Sequence, residues 1–209
     1  MKLILIGPSG AGKGSLAEYL VRDYDIPHIS TGQMFRDNIL NKTLLGVKAE
    51  QYINDGLFVP DEITVDMLLD RIGKPDCKNG FILDGYPRSL NQAMMLAKKI
   101  DVDRVVEIDA DNETVIERLG GRFMCKDCGT IHNDRHDDIS KCKSCTSSKL
   151  YQRDDDREEQ ILKRLEQYHS SVKPILDFYR TQGILITVRS ESDDRPVDLY
   201  GKFIGTLDA

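Results

Sequence analysis

Apolar residues fall along this chain in short dense runs, separated by stretches where they recur every three or four positions. Lys2-Leu3-Ile4-Leu5-Ile6 reads as a fully buried strand, since four apolar residues in a row leave no face for water. Ser15-Leu16-Ala17-Glu18-Tyr19-Leu20-Val21 then has helical spacing. A short strand is expected over 26–30, then a helix from Ser30 or Thr31, either placed to cap it, through Arg36. Further helices are expected over 43–54, ended by Asp55-Gly56, and over 62–72, with Asp61 as N-cap. Phe81-Ile82-Leu83 predicts a buried strand carrying Asp84 at its C-terminal end. A helix over 89–99, a strand over 104–109 and a helix over 111–120 follow. Asp154-Asp155-Asp156-Arg157-Glu158-Glu159 opens a long helix, acidic at the positive end of its dipole. Ile161, Leu165, Tyr168, Val172, Ile175 and Tyr179 make its core-facing stripe, and Pro174 is expected to kink it. A last strand over 183–188 and a helix over 196–204 close the chain. Strands alternating with helices predict the α/β class with a parallel sheet.

The pattern breaks between Arg122 and Asp156, where apolar residues become scarce and four cysteines appear as two pairs, Cys125-x₂-Cys128 and Cys142-x₂-Cys145. Each pair puts two thiolates on one tight knuckle, and four thiolates close a tetrahedral Zn²⁺ site with no place for water. The expected zinc is therefore structural, replacing the apolar core that so small a segment lacks. His132 and His136 lie too close to the first pair for a Cys₂His₂ finger and are left out of the ligand set. Cys77 is left over and reads as a free thiol without a role.

At 209 residues, one domain with insertions is expected rather than two independent domains. A formal charge of −6 argues against a general binder of nucleic acid or anionic membrane, so any basic surface must be local, inside a cleft. The cysteine-bearing segment carries seven lysines and arginines against seven aspartates, with Phe123 and Tyr151 as aromatics, which makes neither a basic patch nor a stacking platform. No apolar run approaches membrane-spanning length, and Met1-Lys2 leads straight into a strand without a signal-peptide pattern. Five cysteines in such a chain suggest a reducing compartment, and a cytoplasmic protein is expected.

Candidate chemistry concentrates in Gly7-Pro8-Ser9-Gly10-Ala11-Gly12-Lys13-Gly14-Ser15, between the first strand and the first helix. Glycines let backbone N–H groups approach an anion, the helix N-terminus adds partial positive charge, and Lys13 adds a full one. A strict P-loop has Ser or Thr directly after the lysine; here Gly14 intervenes and Ser15 supplies the hydroxyl. Asp84 ends a strand at the edge where open parallel sheets bind ligands. It is read either as a holder of Mg²⁺ or its waters, or as the first residue of the Gly85-Tyr86-Pro87 turn. Taken singly, Arg36, Arg153 and Arg164 read as solvated surface charges.

Together these stretches resemble the adenylate kinase family, in its long form with a zinc-bearing lid, across essentially the whole chain. The resemblance rests on GPSGAGKGS at 7–15, STGQMFR at 30–36, ILDGYPRS at 82–89, Gln92, Arg118, Arg122, the cysteine pairs, and Arg153-Asp154-Asp155-Asp156 followed by Arg164. It implies a P-loop-type five-stranded parallel sheet flanked by helices. The core would comprise 1–29, 60–121 and 157–209, with a helical AMP-binding insert at 30–59 and the lid at 122–156. It also implies the Mg²⁺-dependent reaction ATP + AMP ⇌ 2 ADP, and a monomer. Donor binding would fall to Gly10, Ala11, Gly12, Lys13, Gly14, Ser15 and Arg122, with Arg118, Thr130, Ile131 and Arg195 around the adenine. Acceptor binding would fall to Thr31, Arg36, Leu57, Phe58, Val59, Gly85, Tyr86, Pro87, Arg88, Gln92, Arg153 and Arg164. Lys13, Arg88, Arg122, Arg153 and Arg164 would act on the transferring group, Asp84 on the waters of Mg²⁺, and Asp155 and Asp156 at the lid hinge. Gln92, whose amide offers a donor and an acceptor to an adenine edge, would otherwise read as a helix-surface residue. The alternatives within the fold are a UMP or CMP acceptor, or GTP as donor. The chain departs from the family at Ser9 for proline, Ser15 for threonine, Gln33 for an acid, Phe35 for leucine, Ile131 for an aromatic, and in a short stretch between the cysteine pairs.

Overall fold

The computed structural model describes residues 1–54 and 59–207. The chain begins with β1 (Lys2–Ile6), α1 (Lys13–Tyr24), β2 (His28–Ser30), α2 (Thr31–Leu40), α3 (Leu44–Asn54) and α4 (Asp61–Ile72). β3 (Phe81–Asp84), α5 (Leu90–Ala97), β4 (Arg104–Asp109) and α6 (Asn112–Gly120) follow. Three short strands come next, β5 (Arg122–Cys125), β6 (Ile131–Asn133) and β7 (Leu150–Tyr151). The chain closes through α7 (Glu158–Thr181), β8 (Leu185–Arg189) and α8 (Pro196–Leu207).

β1 is the middle strand of a five-stranded sheet ordered β2-β3-β1-β4-β8, parallel throughout. Alternation along β1 feeds two cores, one on each face of the sheet. Leu3 and Leu5 join Ile82, Val106, Ile108 and the apolar faces of α1, α6 and α8. Ile4 and Ile6 join Phe81, Leu83, Val105 and residues from α2, α4 and α5. α7 serves both faces, giving Ile161 and Leu165 to the first and Ile175, Leu176 and Tyr179 to the second. The α/β expectation therefore holds, with helices on both faces.

Several boundaries differ from expectation for local reasons. Asp154–Asp156 form a separate 3₁₀ turn and Arg157 is extended, so α7 starts only at Glu158. The three acids accept from nearby arginines rather than serving the helix dipole. α7 then runs through Pro174 as one helix. Asp61 does not cap α4, whose N-cap is Pro60. Its carboxylate instead accepts from Asn91 at 2.7 Å and Gln92 at 2.6 Å, tying α4 to α5. Ser30 holds the N-cap position of α2 without a side-chain capping bond, and Thr31 turns its hydroxyl to the carbonyls of Asp84 and Gly85. β5, β6 and β7 make a separate antiparallel sheet with β5 in the middle.

Candidate active site

The loop after β1 folds tightly because its glycines take conformations that side chains resist. Gly10 and Gly12 have φ of 89° and 104°, and a Cβ on either would come within 2.9 Å of Leu119 or 2.8 Å of Leu199. α1 then begins at Lys13 with no side-chain cap and no acid in its first turn, leaving its N-terminal N–H groups open. Lys13 folds back over the loop and donates to the carbonyls of Gly7 (2.9 Å) and Pro8 (2.8 Å). Burial lowers its pKa and Asp84 opposes that, while Arg88, Arg164 and Arg122 push it further down. A lysine held in this way gains from any anion that arrives.

Asp84 pairs with Leu5 in the sheet register, which places its carboxylate beside the loop. Burial raises its pKa, but the His28 hydrogen bond (Nε2 to Oδ2, 3.3 Å) and the Lys13 charge outweigh this and hold it below the ordinary carboxylate value. His28 was not foreseen as a site residue. Its place follows from strand register, Ser30 opposite Asp84 and His28 opposite Ile82, which a single sequence does not print.

These groups open into a cleft of about 950 Å³ at the C-terminal edge of the sheet. Its walls include Lys13, Arg36, Arg88, Arg118, Arg122, Arg135, Arg153, Arg164 and Arg195, nine cations against the three acids Asp84, Asp155 and Asp194. A chain of net charge −6 thus concentrates positive charge in one place. Such a cleft suits a polyanion.

The arginines are held by named partners. Arg88 donates to the Gly85 carbonyl at 2.9 Å. Arg122 makes a forked pair with Asp156, 2.8 and 2.5 Å, and Arg153 a forked pair with Asp155, 2.8 and 2.7 Å. Arg164 donates to the Asp155 carbonyl at 2.8 Å and stands 3.5 Å from both carboxylates. Burial lowers the Arg164 pKa, partly offset by Asp155. Arg36 donates twice to the Gln33 carboxamide, at 3.2 and 2.8 Å. Arg118 rests on a shelf after β8, donating to Ser190 Oγ at 2.9 Å and to the Glu191 carbonyl. Arg195, at the mouth, pairs with Asp198 at 3.0 Å.

A family model described as adenylate kinase matches residues 5–184. An adenylate kinase of Caldicellulosiruptor bescii is 44% identical over 201 residues, 92% of this chain and 93% of that protein. One of Alkaliphilus oremlandii is 43% identical, covering 99% of this chain and 98% of its own. One of Clostridioides difficile is 44% identical, covering 91% and 92%. The chain belongs to the adenylate kinase family.

With the adenylate kinase family in view, the remaining expected residues can be placed. Gly10, Gly12, Gly14, Ser15, Thr31, Gly85, Tyr86, Pro87 and Ile131 line the cleft. Ala11 is fully buried in the core beneath the loop. Thr130 turns its hydroxyl to Cys128 Sγ, 3.1 Å away, and the cleft is walled by its neighbour Ile131. Val59 packs against the second core, while Leu57 and Phe58 lie outside the described residues. Gln92 departs furthest from expectation. It is 9% exposed and absent from the cleft wall, and both ends of its amide are already taken. Oε1 accepts from the Arg88 N–H at 2.7 Å and Nε2 donates to Asp61 at 2.6 Å. In this structure Gln92 holds the loop that carries Arg88, because a buried carboxamide must have both its acceptor and its donor satisfied, and these two partners do so. Asp61, the residue that fixes it, was likewise missed.

The four cysteines come together as expected. Their sulfurs all lie within 4.8 Å of one another, with Cys125–Cys145 and Cys128–Cys142 at 3.5 Å. A tetrahedron with zinc–sulfur bonds of ~2.3 Å has sulfurs ~3.8 Å apart, so this set fits a zinc ion. Burial raises the Cys142 thiol, but the backbone N–H groups of Cys145 and Ser144, aided by His132, bring it down to about 5. The Ser147 backbone favours the Cys145 thiolate, yet its sulfur neighbours and burial push that thiol up to about 12. Sulfurs in such company compete for one negative charge until a cation relieves them. His132 and His136 stand outside this set.

Proposed function

We propose that this member of the adenylate kinase family transfers the γ-phosphoryl group of ATP reversibly to AMP, giving two ADP, through the residues of the nine-cation cleft. The observation that carries the reading is the shared opening of the glycine loop, Lys13, Asp84 and the arginines into one space. In-line transfer needs positioning and charge neutralisation more than covalent help. Lys13 and the N–H groups of Gly10–Ser15 bind the donor β- and γ-phosphates. Arg36 and Arg88 bind the acceptor phosphate. An acceptor oxygen attacks γ-phosphorus, the bond to the bridging oxygen breaks, and its electron pair leaves on the donor's β-phosphate. Arg122, Arg153 and Arg164 stabilise the charge that gathers on the transferring group.

Asp84 would hold Mg²⁺ or its waters, and its depressed pKa fits that task. The ion would supply charge neutralisation on the phosphates beside Asp84. Arg118, Arg195 and the Thr130-Ile131 backbone border the donor base. Thr31 and residues 57–59 are assigned to the acceptor base, with Gln92 acting through the Arg88 loop. Segments 30–59 and 122–156 would close over acceptor and donor, hinged at Asp155 and Asp156 and moving against a core of 1–29, 60–121 and 157–209. Closure excludes water that would otherwise take the phosphoryl group.

Zn²⁺ in the cysteine cluster would stiffen the lid without taking part. No disulfide joins any of the five cysteines, which fits a reducing, cytoplasmic setting, and a monomer without nucleic-acid partners is the assembly we assign. No described helix is long and apolar enough to cross a membrane. A coupled assay for ADP with ATP-Mg²⁺ and AMP, UMP, CMP or GMP tests the reading. Two ADP per AMP consumed supports it, turnover with UMP or CMP alone replaces the acceptor, and equal ADP release without an acceptor means hydrolysis.

A further inference from the structure

Between Arg122 and Arg153 only three side chains are buried apart from solvent: Cys125, Cys142 and His132. Two belong to the sulfur cluster. The third lies in the middle of β6, opposite Phe123 of β5, and is 1% exposed. Neither of its ring nitrogens has a hydrogen-bond partner among the described residues. Asp137 comes nearest on one side, its carboxylate 3.9 Å from Nδ1, but it is already held by Lys143 at 2.9 Å and by the Asn133 N–H at 3.0 Å. A fully buried imidazole without a partner is an unreturned cost in a segment with almost no core. Lys143, which holds that Asp137 carboxylate, directly follows Cys142, so the chain brought beside the ring is that of the sulfur cluster.

Four thiolates around a divalent ion carry surplus negative charge, and N–H groups aimed at the sulfurs disperse it. Cys142 already receives the Ser144 N–H at 3.4 Å. We propose that His132 donates a ring N–H to the Cys142 sulfur in the metal-loaded lid, and so holds the zinc without touching it. Its apparent lack of a partner is then the empty half of a bond that the metal-loaded sulfur completes. His132 is a positioning residue for the metal, and it stands with Ile131 and Asn133 in the wall of the nucleotide cleft. The inference rests on the zinc reading above.

The test compares near-isosteric replacements in the full-length protein. Zinc affinity is measured by competition with a chromophoric chelator in wild type, His132→Met, His132→Gln and His132→Asn. Outer partners of metal ligands typically contribute ~10–100-fold in affinity, so His132→Met should lose about that much. Gln presents its N–H near the place of Nε2 and Asn near that of Nδ1, so one of the two should keep wild-type affinity. Thermal unfolding of the metal-stripped proteins separates this from a damaged lid, since an apolar residue in that buried place should leave stripped protein at least as stable as wild type. The proposal is overturned if His132→Met binds zinc as wild type does, or if Met, Gln and Asn all lose affinity alike. If wild type itself takes up no zinc, the zinc reading fails first and this one with it.

Discussion

The two segments that interrupt the α/β core are built on opposite principles. The α2–α3 segment sends Met34 and Ala49 into the same apolar cluster as Ile4, Ile6 and Leu83, with Phe35 and Leu45 packed alongside. The β5–β7 segment contributes nothing to either core cluster, and its buried side chains are two cysteines and a histidine. One insert is an outgrowth of the core; the other must be held by something the chain does not supply. A segment of that size has too little apolar area to order itself, and a metal is the compact substitute.

The largest effect should come from removing the metal. Structural zinc contributes about 10–16 kcal/mol in small domains, so Cys142→Ser or exhaustive chelation should release the lid alone. Hydrogen exchange would then show lid amides exchanging freely while α2 and α3 stay protected. Persistent lid protection would erase the contrast. Arg122 opens β5 and is paired with the buried Asp156. Arg122→Met should lower the transfer rate by ~10³–10⁵, about 4–7 kcal/mol, and should also cost about 3–5 kcal/mol in nucleotide-free unfolding by leaving Asp156 buried without its fork. A rate loss below tenfold would remove Arg122 from the transferring group.

In the other insert, Met34→Ala should cost about 2–5 kcal/mol of core stability through the cavity it leaves. Chemical denaturation should show that loss across the whole molecule, since Met34 belongs to the shared core. A loss confined to α2–α3 would make that insert as separate as the lid. The smallest effect belongs to neither insert. Asp111 caps α6 by accepting from the Thr114 N–H at 2.7 Å, and that bond lowers its pKa. A depressed carboxylate contributes stability that is full above its unfolded pKa of ~3.9 and fades as pH falls through the folded value. Asp111→Asn keeps the cap and should flatten that part of the acid limb; an unchanged limb would place the titration elsewhere.

Local pattern made the sheet and helices legible. Runs such as Leu3-Ile4-Leu5-Ile6 and Phe81-Ile82-Leu83 can be satisfied only by burial, and Gly10 and Gly12 announce a turn by what they lack. The cysteine pairs were equally plain, because metal chemistry demands their spacing. What escaped depended on register between distant segments. Asp61 looks like a helix cap until Gln92, 31 residues away, is seen to take its carboxylate. Asp154-Asp155-Asp156 looks like a helix opening until three arginines claim those acids first. His28 and His132 carry no local signal, since each acquires its meaning only from a strand neighbour.

The aspartates at the base of the lid have one further effect on the proposed reaction. Asp156 fills the guanidinium fork of Arg122 and Asp155 that of Arg153, with Arg164 touching both. In that reaction a phosphate would take over these same forks. The protein thereby carries its own tethered rival to the substrate, present at high effective concentration and never diffusing away. A ligand with little charge cannot evict it, whereas a polyphosphate spanning several forks can. As charge leaves the centre after transfer, the carboxylates reclaim their partners. Entry is filtered and departure assisted by the same two side chains.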